Sequence, residues 1–293
     1  MGNRILRSQH RPSIARNPAK WGDQIRGRAT FDSSLILAAM KSQRRAPGDE
    51  YVQSLARGLS VIRTFNGDAP RQTLSQVAAR AGLDRAGARR ILLTLKTLGY
   101  LRQDGRNFVP QPTILHLGYS YLSTVPWWSI AERKMIDLVD TVNETATLGV
   151  LSGTHMLSVV CVHAKNVLTV NLAVGRRSPA YCTAIGRILL GALPEEEVVQ
   201  LLQRRRPTKL TNHTITSIPA LMRIIERDRK QGWSLVNREY HDSVCSIAVP
   251  VYSQTHQLMA ALSVIGTPLR TSPEKMVRSV LPHLKRTAER LWD

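Results

Sequence analysis

The sequence predicts an α+β protein: an N-terminal winged helix-turn-helix, a linker helix, and a C-terminal α/β domain with an antiparallel sheet of about six strands. Three observations predict this fold. The 293 residues, 43% of them hydrophobic, are enough for two domains with cores of their own. Three short helical patterns are followed by a hairpin around Asp104-Gly105, a strong turn signal. Strand-like segments then alternate with helical ones through the second half of the chain.

The charge balance points to a polyanionic partner. There are 41 Lys and Arg against 21 Asp and Glu, so the formal net charge is +20, as expected for a protein that contacts nucleic acid or an anionic membrane surface. Residues 1–48 are rich in Arg, Ser, Gln and Pro, and we expect a disordered basic tail there. No apolar run approaches the ~18–20 residues of a membrane span, so we expect no membrane partner. Three cysteines without a CxxC pair argue against a disulfide framework and fit a reducing cytoplasm.

Residues 49–110 carry the pattern of the first domain. Apolar residues recur at three- and four-residue steps from Tyr51 onward and predict a first helix. Thr73 is placed to cap a second helix over residues 74–80, with Gln76 as its capping-box partner. Gly82 ends that helix at the position where a left-handed residue is favoured. Two short helices close together predict a helix-turn-helix.

A third helix is predicted over residues 85–98, capped by Asp84 and ended by Gly99. One face is apolar, with Ala88, Ile91, Leu95 and Leu98. The other face is basic, with Arg85, Ala86, Arg89 and Arg90. Residues 100–109 follow as two short strands around the Asp104-Gly105 turn, which completes a winged helix-turn-helix.

This arrangement predicts binding to double-stranded promoter DNA, because the second helix of the pair enters the major groove with its N-terminal residues. Arginine suits that role since its guanidinium donates in a bidentate fork. The predicted groove contacts are the exposed residues of the third helix, Arg85, Ala86, Arg89 and Arg90. Predicted backbone contacts are Arg102 and Arg106 on the wing and Ser75, Gln76 and Arg57 elsewhere.

A linker helix is predicted over residues 111–124, and residues 125–293 form the second domain, which we expect to mediate oligomerisation. Six strands are predicted there, over residues 145–151, 156–162, 168–174, 233–237, 244–251 and 259–265. One helix is predicted before the first strand, ending at residue 142, and four more over residues 183–193, 194–206, 217–232 and 272–292. Ser217 is the predicted cap of the fourth of these helices, and Pro194 the first residue of the third.

Four segments resemble the IclR family of bacterial transcriptional regulators: SLARGLSVIRTF, LSQVAARAGLDRAGARRILLTLKTLGYLRQDG, GRRSPAYCTAIGRILLGALP and AVPVYSQTHQLMAALSVIG. The resemblance covers residues 51–292 and is greatest to the branch that controls protocatechuate, 4-hydroxybenzoate and β-ketoadipate catabolism (the PcaR, PcaU and PobR types). It implies a GAF-like effector domain and a homodimer or homotetramer. It also implies an aromatic or dicarboxylic acid as effector, with RNA polymerase as a partner if the protein is an activator. Other members often carry acidic residues at the positions of Val236 and Asn237, and some carry a cysteine at the position of Ser246.

A carboxylate effector needs a donor-rich pocket, and the start of a helix supplies unpaired N–H groups and partial positive charge. The helix beginning near residue 183 is the candidate, and the resemblance places the effector pocket there too, with its far wall on neighbouring strands. The candidate effector-binding residues are Arg176, Arg177, Tyr181, Thr183, Ala184, Ile185, Arg187, Asn237, Ser246 and Ser263.

Three other functions are open. The chain could be an IclR-type regulator of an unrelated carbon source, a nucleic-acid or membrane adaptor without a ligand, or a hydrolase that uses Cys182. The hydrolase is disfavoured because no GxSxG, P-loop or GxGxxG motif occurs. Scattered histidines without HxxxH spacing favour no metal, and we expect no cofactor and no catalytic residue. The expected location is the cytoplasm, in association with the nucleoid.

Overall fold

A computed structural model describes residues 51–124, 127–165 and 172–291. The chain divides into two compact units, with the boundary between Trp128 and Ser129. The predicted basic tail lies outside the described residues. Within those residues, no helix is both long enough and apolar enough to cross a membrane.

The first unit is the winged helix-turn-helix that the sequence predicts. Its elements are α1 (Gln53–Arg63), β1 (Gln72–Thr73), α2 (Leu74–Ala81), α3 (Arg85–Thr97), β2 (Leu101–Asp104) and β3 (Asn107–Pro110). The wing is a three-stranded antiparallel sheet in the order β1-β3-β2. The two-residue strand β1 is absent from the sequence prediction because it is too short to show alternation.

The predicted caps of this unit are confirmed. Thr73 and Gln76 form a reciprocal capping box at the start of α2, and Asp84 caps α3. The predicted apolar face of α3 is wrong at one position, since Leu98 is 59% exposed and Leu92 is fully buried. The helix ends at Thr97, before Leu98. Its buried face consists of Ala88, Leu92 and Leu95, which are spaced four and three residues apart.

The linker begins with a short 3₁₀ turn (Pro112–Ile114) and continues as α4 (Leu115–Leu122). The next helix, α5 (Trp127–Val142), ends where the sequence predicts.

The second unit contains a six-stranded antiparallel sheet, as predicted. Its strands are β4 (Thr145–Ser152), β5 (His155–Val162), β6 (Arg177–Pro179), β7 (Ser234–Asn237), β8 (Cys245–Tyr252) and β9 (Leu258–Gly266). They run in the order β6-β5-β4-β9-β8-β7.

One strand prediction is wrong in part. Residues 168–171 of the predicted 168–174 strand lie outside the described residues, and residues 172–174 are not in a strand. The sixth strand is β6, which pairs with the beginning of β5. The chain turns at Gly175, where φ is +83°, and joins the sheet only after that turn.

The helices of this unit are α6 (Ala184–Gly191), α7 (Glu195–Arg204), α8 (Ile218–Gln231), the one-turn α9 (Pro273–Lys275) and α10 (Leu281–Glu289). Two cap predictions need correction: Ser217 precedes α8 without a side-chain capping bond, and Pro194 lies at the cap of α7 rather than inside it. The predicted continuous last helix contains a π-helical segment, Met276–Val280. Pro282 explains the interruption because it has no N–H to donate back along an α-helix.

Candidate nucleic-acid interface and effector site

The start of α3 exposes the basic face that the sequence predicts. Arg85, Ala86, Arg89 and Arg90 are all exposed, whereas Ala88, Leu92 and Leu95 of the same helix are buried. The Asp84 carboxylate accepts a hydrogen bond from the Gly87 amide at 2.7 Å. That backbone hydrogen bond lowers the pKa of Asp84, so the cap stays ionised and holds the first turn in place. The surface therefore combines a fixed helix start with exposed arginines.

The predicted phosphate contacts outside α3 are also exposed. Ser75 and Arg57 are both exposed on their helices. The Gln76 side chain has a structural role as well, since its Oε1 accepts from the Thr73 amide at 2.8 Å. Only the amide nitrogen of this side chain remains to donate to a phosphate.

The wing carries a small charge cluster. Arg102 and Arg106 are exposed, and Arg102 lies 3.5 Å from the Asp104 carboxylate. Arg71, just before β1, makes a closer ion pair with the same carboxylate. Sequence reasoning missed Arg71 because nothing in its surroundings predicts that β1 joins the wing. Asp104 thus pairs with two arginines, one in its own strand and one just before β1.

One face of the large sheet packs against α6. A Cβ added to Gly149 would lie 3.1 Å from Ile185 Cγ2, so Gly149 of β4 faces this helix. Paired residues of antiparallel strands share a face. Thr147 of β4 pairs with Ser263 of β9, and Ser246 of β8 pairs with Ile265, so these residues lie on the same face as Gly149. The predicted Ser246 and Ser263 are therefore brought under α6.

Sequence reasoning missed two further hydroxyl groups on this face, those of Thr147 and Ser158. Ser158 pairs with Gly149 across a β-bulge, and its Oγ is buried without a hydrogen-bond partner among the described residues. Thr147 lies opposite Ser263 only through the pairing of β4 with β9, which no counting along one strand reveals, and the bulge breaks the alternation in β5 near Ser158. The sheet face under α6 is thus unusually rich in hydroxyl groups.

Asn237 is not brought together with these residues. Val236 pairs with Ser246, so Val236 is the β7 residue on the α6 face. Asn237, one residue further, lies on the opposite face because side chains alternate along a strand.

The beginning of α6 is tightly fitted to the preceding 3₁₀ turn (Ala180–Cys182). Thr183 Oγ1 accepts from the Gly186 amide at 3.2 Å and donates to the Pro179 carbonyl at 3.1 Å. The hydroxyl is therefore a helix cap. The buried amides of Ala184 and Ile185, the first two of the helix, are the donors that a carboxylate could use.

Two of the predicted effector contacts, Arg187 and Tyr181, form hydrogen bonds to other residues of the protein. Arg187 is 2% exposed; its Nε donates to the Tyr181 carbonyl at 2.9 Å, and its Nη2 to Glu239 Oε2 at 2.6 Å. The Tyr181 hydroxyl donates to the Thr208 carbonyl at 2.8 Å and accepts from the Thr208 amide at 3.1 Å. Both side chains hold loops around the start of α6.

The two adjacent arginines before α6 differ in surroundings. Arg176 is half-buried, and its Nη2 donates to the Tyr240 hydroxyl at 3.1 Å. Arg177 is exposed on the edge strand β6 and donates to the Ser152 carbonyl at 3.2 Å. Tyr240, which sequence reasoning missed, packs with Val244 and Ile265. Because Ile265 lies on the α6 face, Arg176 is the arginine of the two placed to meet a ligand there.

Cys182 has no features of a nucleophile. It is fully buried, and burial raises the pKa of its thiol to about 12. Among residues 51–124, 127–165 and 172–291, no three His, Cys, Asp or Glu side chains come together in a way that could hold a metal ion.

Comparison with known proteins settles the family. Residues 54–105 match the IclR helix-turn-helix domain, and residues 119–292 match the C-terminal domain of the bacterial transcriptional regulator IclR. The chain belongs to the IclR family. It is therefore a DNA-binding transcriptional regulator. The arginine face of α3 lies in its helix-turn-helix domain, and the hydroxyl-rich sheet face lies in its C-terminal domain.

Similar regulators are known from several bacteria. The chain is 34% identical over 258 residues to the Pca regulon regulatory protein of Pseudomonas putida, covering 87% of this chain and 89% of that protein. It is 30% identical over 260 residues to the p-hydroxybenzoate hydroxylase transcriptional activator of Acinetobacter baylyi, covering 87% and 96%. The fold matches an IclR homologue from Microbacterium hydrocarbonoxydans, solved with 4-hydroxybenzoate, at a TM-score of 0.70 and 23% identity, covering 82% and 97%.

Proposed function

We propose that this IclR-family regulator controls promoter DNA in response to a small carboxylate of aromatic acid catabolism, an aromatic or dicarboxylic acid of the β-ketoadipate pathway. The observation that carries the proposal is the hydroxyl-rich sheet face under α6, together with the first two amides of α6 and with Arg176, whose partner Tyr240 packs against the Val244–Ile265 cluster. Amides and an arginine suit a carboxylate, and hydroxyls suit a ring hydroxyl. Relatives at 30–34% identity are named for the Pca regulon and for p-hydroxybenzoate hydroxylase, which supports this class over an unrelated carbon source.

Calorimetric titration tests the effector class. The panel contains 4-hydroxybenzoate, protocatechuate, β-ketoadipate and pyruvate. We expect one of the first three to bind, and Arg176→Ala to weaken its binding by about tenfold or more, because a charge-assisted hydrogen bond contributes about 1.5–3 kcal/mol. Arg177→Ala is the matched control, since it removes the same charge from the exposed edge strand. Binding of pyruvate alone, or equal losses in the two variants, would reject the proposal.

We infer a homodimer formed through the first unit. The linker helix α4 exposes four large apolar or aromatic side chains, Leu115, Leu117, Tyr119 and Tyr121. An exposed apolar surface of this kind on a soluble protein marks an interface. A second copy is the occupant we favour, because a two-fold dimer would present two α3 helices to the two halves of a palindromic operator.

Sedimentation of a linker variant tests the dimer. We expect Leu115→Asp/Tyr119→Asp to shift the protein to monomers at micromolar concentration, because each charge would have to be buried in the interface. Ser120→Asp, on the same helix, adds charge at a polar exposed position and should leave the association unchanged. A wild-type tetramer that becomes a dimer in the double variant would also place a contact on this face. A wild-type monomer would overturn the inference.

We also propose that the chain is not an enzyme and that it works in the cytoplasm beside the nucleoid. The buried, protonated Cys182 argues against a cysteine hydrolase, and the basic charge of the chain suits DNA. RNA polymerase would be a further partner if effector binding activates transcription.

A further inference from the structure

A buried ion pair holds the start of α6 against the loop that follows β7. The Arg187 and Glu239 side chains are 2% and 8% exposed, and their Nη2 and Oε2 atoms lie 2.6 Å apart. Arg187 is in the first turn of α6, the helix whose N-terminal amides form the proposed carboxylate site. Glu239 comes two residues after the end of β7. The pair thus connects two segments that are 52 residues apart in sequence.

Glu239 also holds a third segment. Its Oε2 accepts from the Ile215 amide at 3.3 Å, and its carbonyl accepts from the Thr214 hydroxyl at 2.6 Å. On the other side, Arg187 Nε is bonded to the Tyr181 carbonyl, in the turn before α6. Three loops around the helix start are therefore fixed to one ion pair.

The residue after Glu239 faces the proposed site. Tyr240 accepts the hydrogen bond from Arg176 and packs with Ile265 on the α6 face. The position of Tyr240, and with it that of the Arg176 guanidinium, follows from where Glu239 is held. Arg187 is therefore connected to the effector site through Glu239 and Tyr240, although its own guanidinium is bonded to Glu239 and Tyr181.

We propose that Arg187 and Glu239 are positioning residues for the effector site. This inference rests on the proposed effector function. Removing one partner of a buried ion pair is strongly destabilising, whereas replacing both with apolar residues of similar size is often neutral or stabilising, so stability alone gives little reason for the pair. Its particular contribution is geometric: it fixes the distance between the donors at the start of α6 and the loop that carries Tyr240.

The test replaces both partners together. We expect Arg187→Met/Glu239→Leu to melt close to the wild type. It should bind whichever acid of the calorimetric panel the wild type binds about tenfold more weakly, within the usual range of coupling between neighbouring sites. Amide hydrogen exchange of residues 238–244 should become faster in the ligand-free double variant. The control is Glu144→Leu/Arg270→Met. It removes an ion pair whose glutamate is also almost fully buried, and it should leave the affinity unchanged.

Three further outcomes are decisive. A double variant with wild-type affinity and wild-type exchange would overturn the inference. If the double variant fails to fold, Arg187→Lys is used, because a lysine keeps the charge but not the fork that bonds both Tyr181 and Glu239. A folded Arg187→Lys protein with wild-type affinity and wild-type exchange would overturn the inference. If the wild-type protein binds none of the four acids, the proposed effector class fails, and the exchange of residues 238–244 alone decides whether the pair fixes the loop.

Discussion

Replacing Arg89 with alanine is expected to weaken binding to the regulator's operator by about 1–3 kcal/mol, the range for losing a guanidinium that is bidentate to a guanine. Arg89 lies on the exposed face of α3, close to the helix start that Asp84 holds in place. The operator is obtained by selecting duplexes from a random library with the wild-type protein. Fluorescence anisotropy with a labelled duplex then gives the affinity of each variant.

The control for Arg89 is Arg204→Ala, which removes the same charge from an exposed position at the end of α7. A base contact also predicts a change in specificity: the Arg89 variant should tolerate substitution of one base pair that the wild type rejects. A uniform loss on all duplexes would instead place Arg89 on a phosphate. Unchanged operator affinity would contradict the assignment of α3 as the recognition helix.

Replacing Gly186 with alanine is expected to destabilise the second unit by about 3 kcal/mol or more, at the upper end of overpacking costs. A Cβ at this position would lie 2.2 Å from the Ala180 carbonyl oxygen and 2.3 Å from Ala180 Cα. Both are backbone atoms, so neither can move aside without shifting the turn before α6. Because Gly186 also donates to the Thr183 hydroxyl, the proposed carboxylate site should be lost with the fit of the helix start.

Gly191→Ala is the matched control, since it adds the same methyl group at the other end of α6. There the nearest atom would be 3.6 Å away, an ordinary contact, and alanine favours a helix over glycine by about 0.5–1 kcal/mol. Thermal unfolding should show the Gly186 variant melting about 6 °C or more below the wild type and the Gly191 variant at or above it. Equal melting of the two variants would show that the turn before α6 adapts easily.

Local signals in the sequence predicted most of the fold. The capping box at Thr73, the cap at Asp84 and the Asp104-Gly105 turn each depend on residues within a few positions of one another. The missed features depend on distant partners. The pairing that places Arg177 in β6 involves Leu157 of β5, 20 residues earlier, so local alternation could not reveal β6. The strand predicted over residues 168–174 is wrong at residues 172–174.

The same contrast between local signals and distant partners explains which residues of the two sites could be predicted. The arginine face of α3 follows from helical spacing alone, so Arg85, Arg89 and Arg90 were predictable. The partners of Arg187 and Tyr181 come from loops 52 and 27 residues away, and no spacing within the GRRSPAYCTAIGR segment reveals them. Asn237 lies on the sheet face away from α6. Its side could not be predicted because the register of β7 against β8 is fixed by tertiary pairing.

The measurement that tests the central claim most directly is operator affinity with and without effector. Anisotropy titrations of the selected operator are carried out in the absence and presence of saturating 4-hydroxybenzoate, protocatechuate or β-ketoadipate. An effector-controlled regulator predicts that one acid changes the affinity of the wild-type protein by about fivefold or more, and that Arg176→Ala greatly reduces the change. The same operator affinity with and without every acid would contradict the claim that this regulator senses an acid of this pathway.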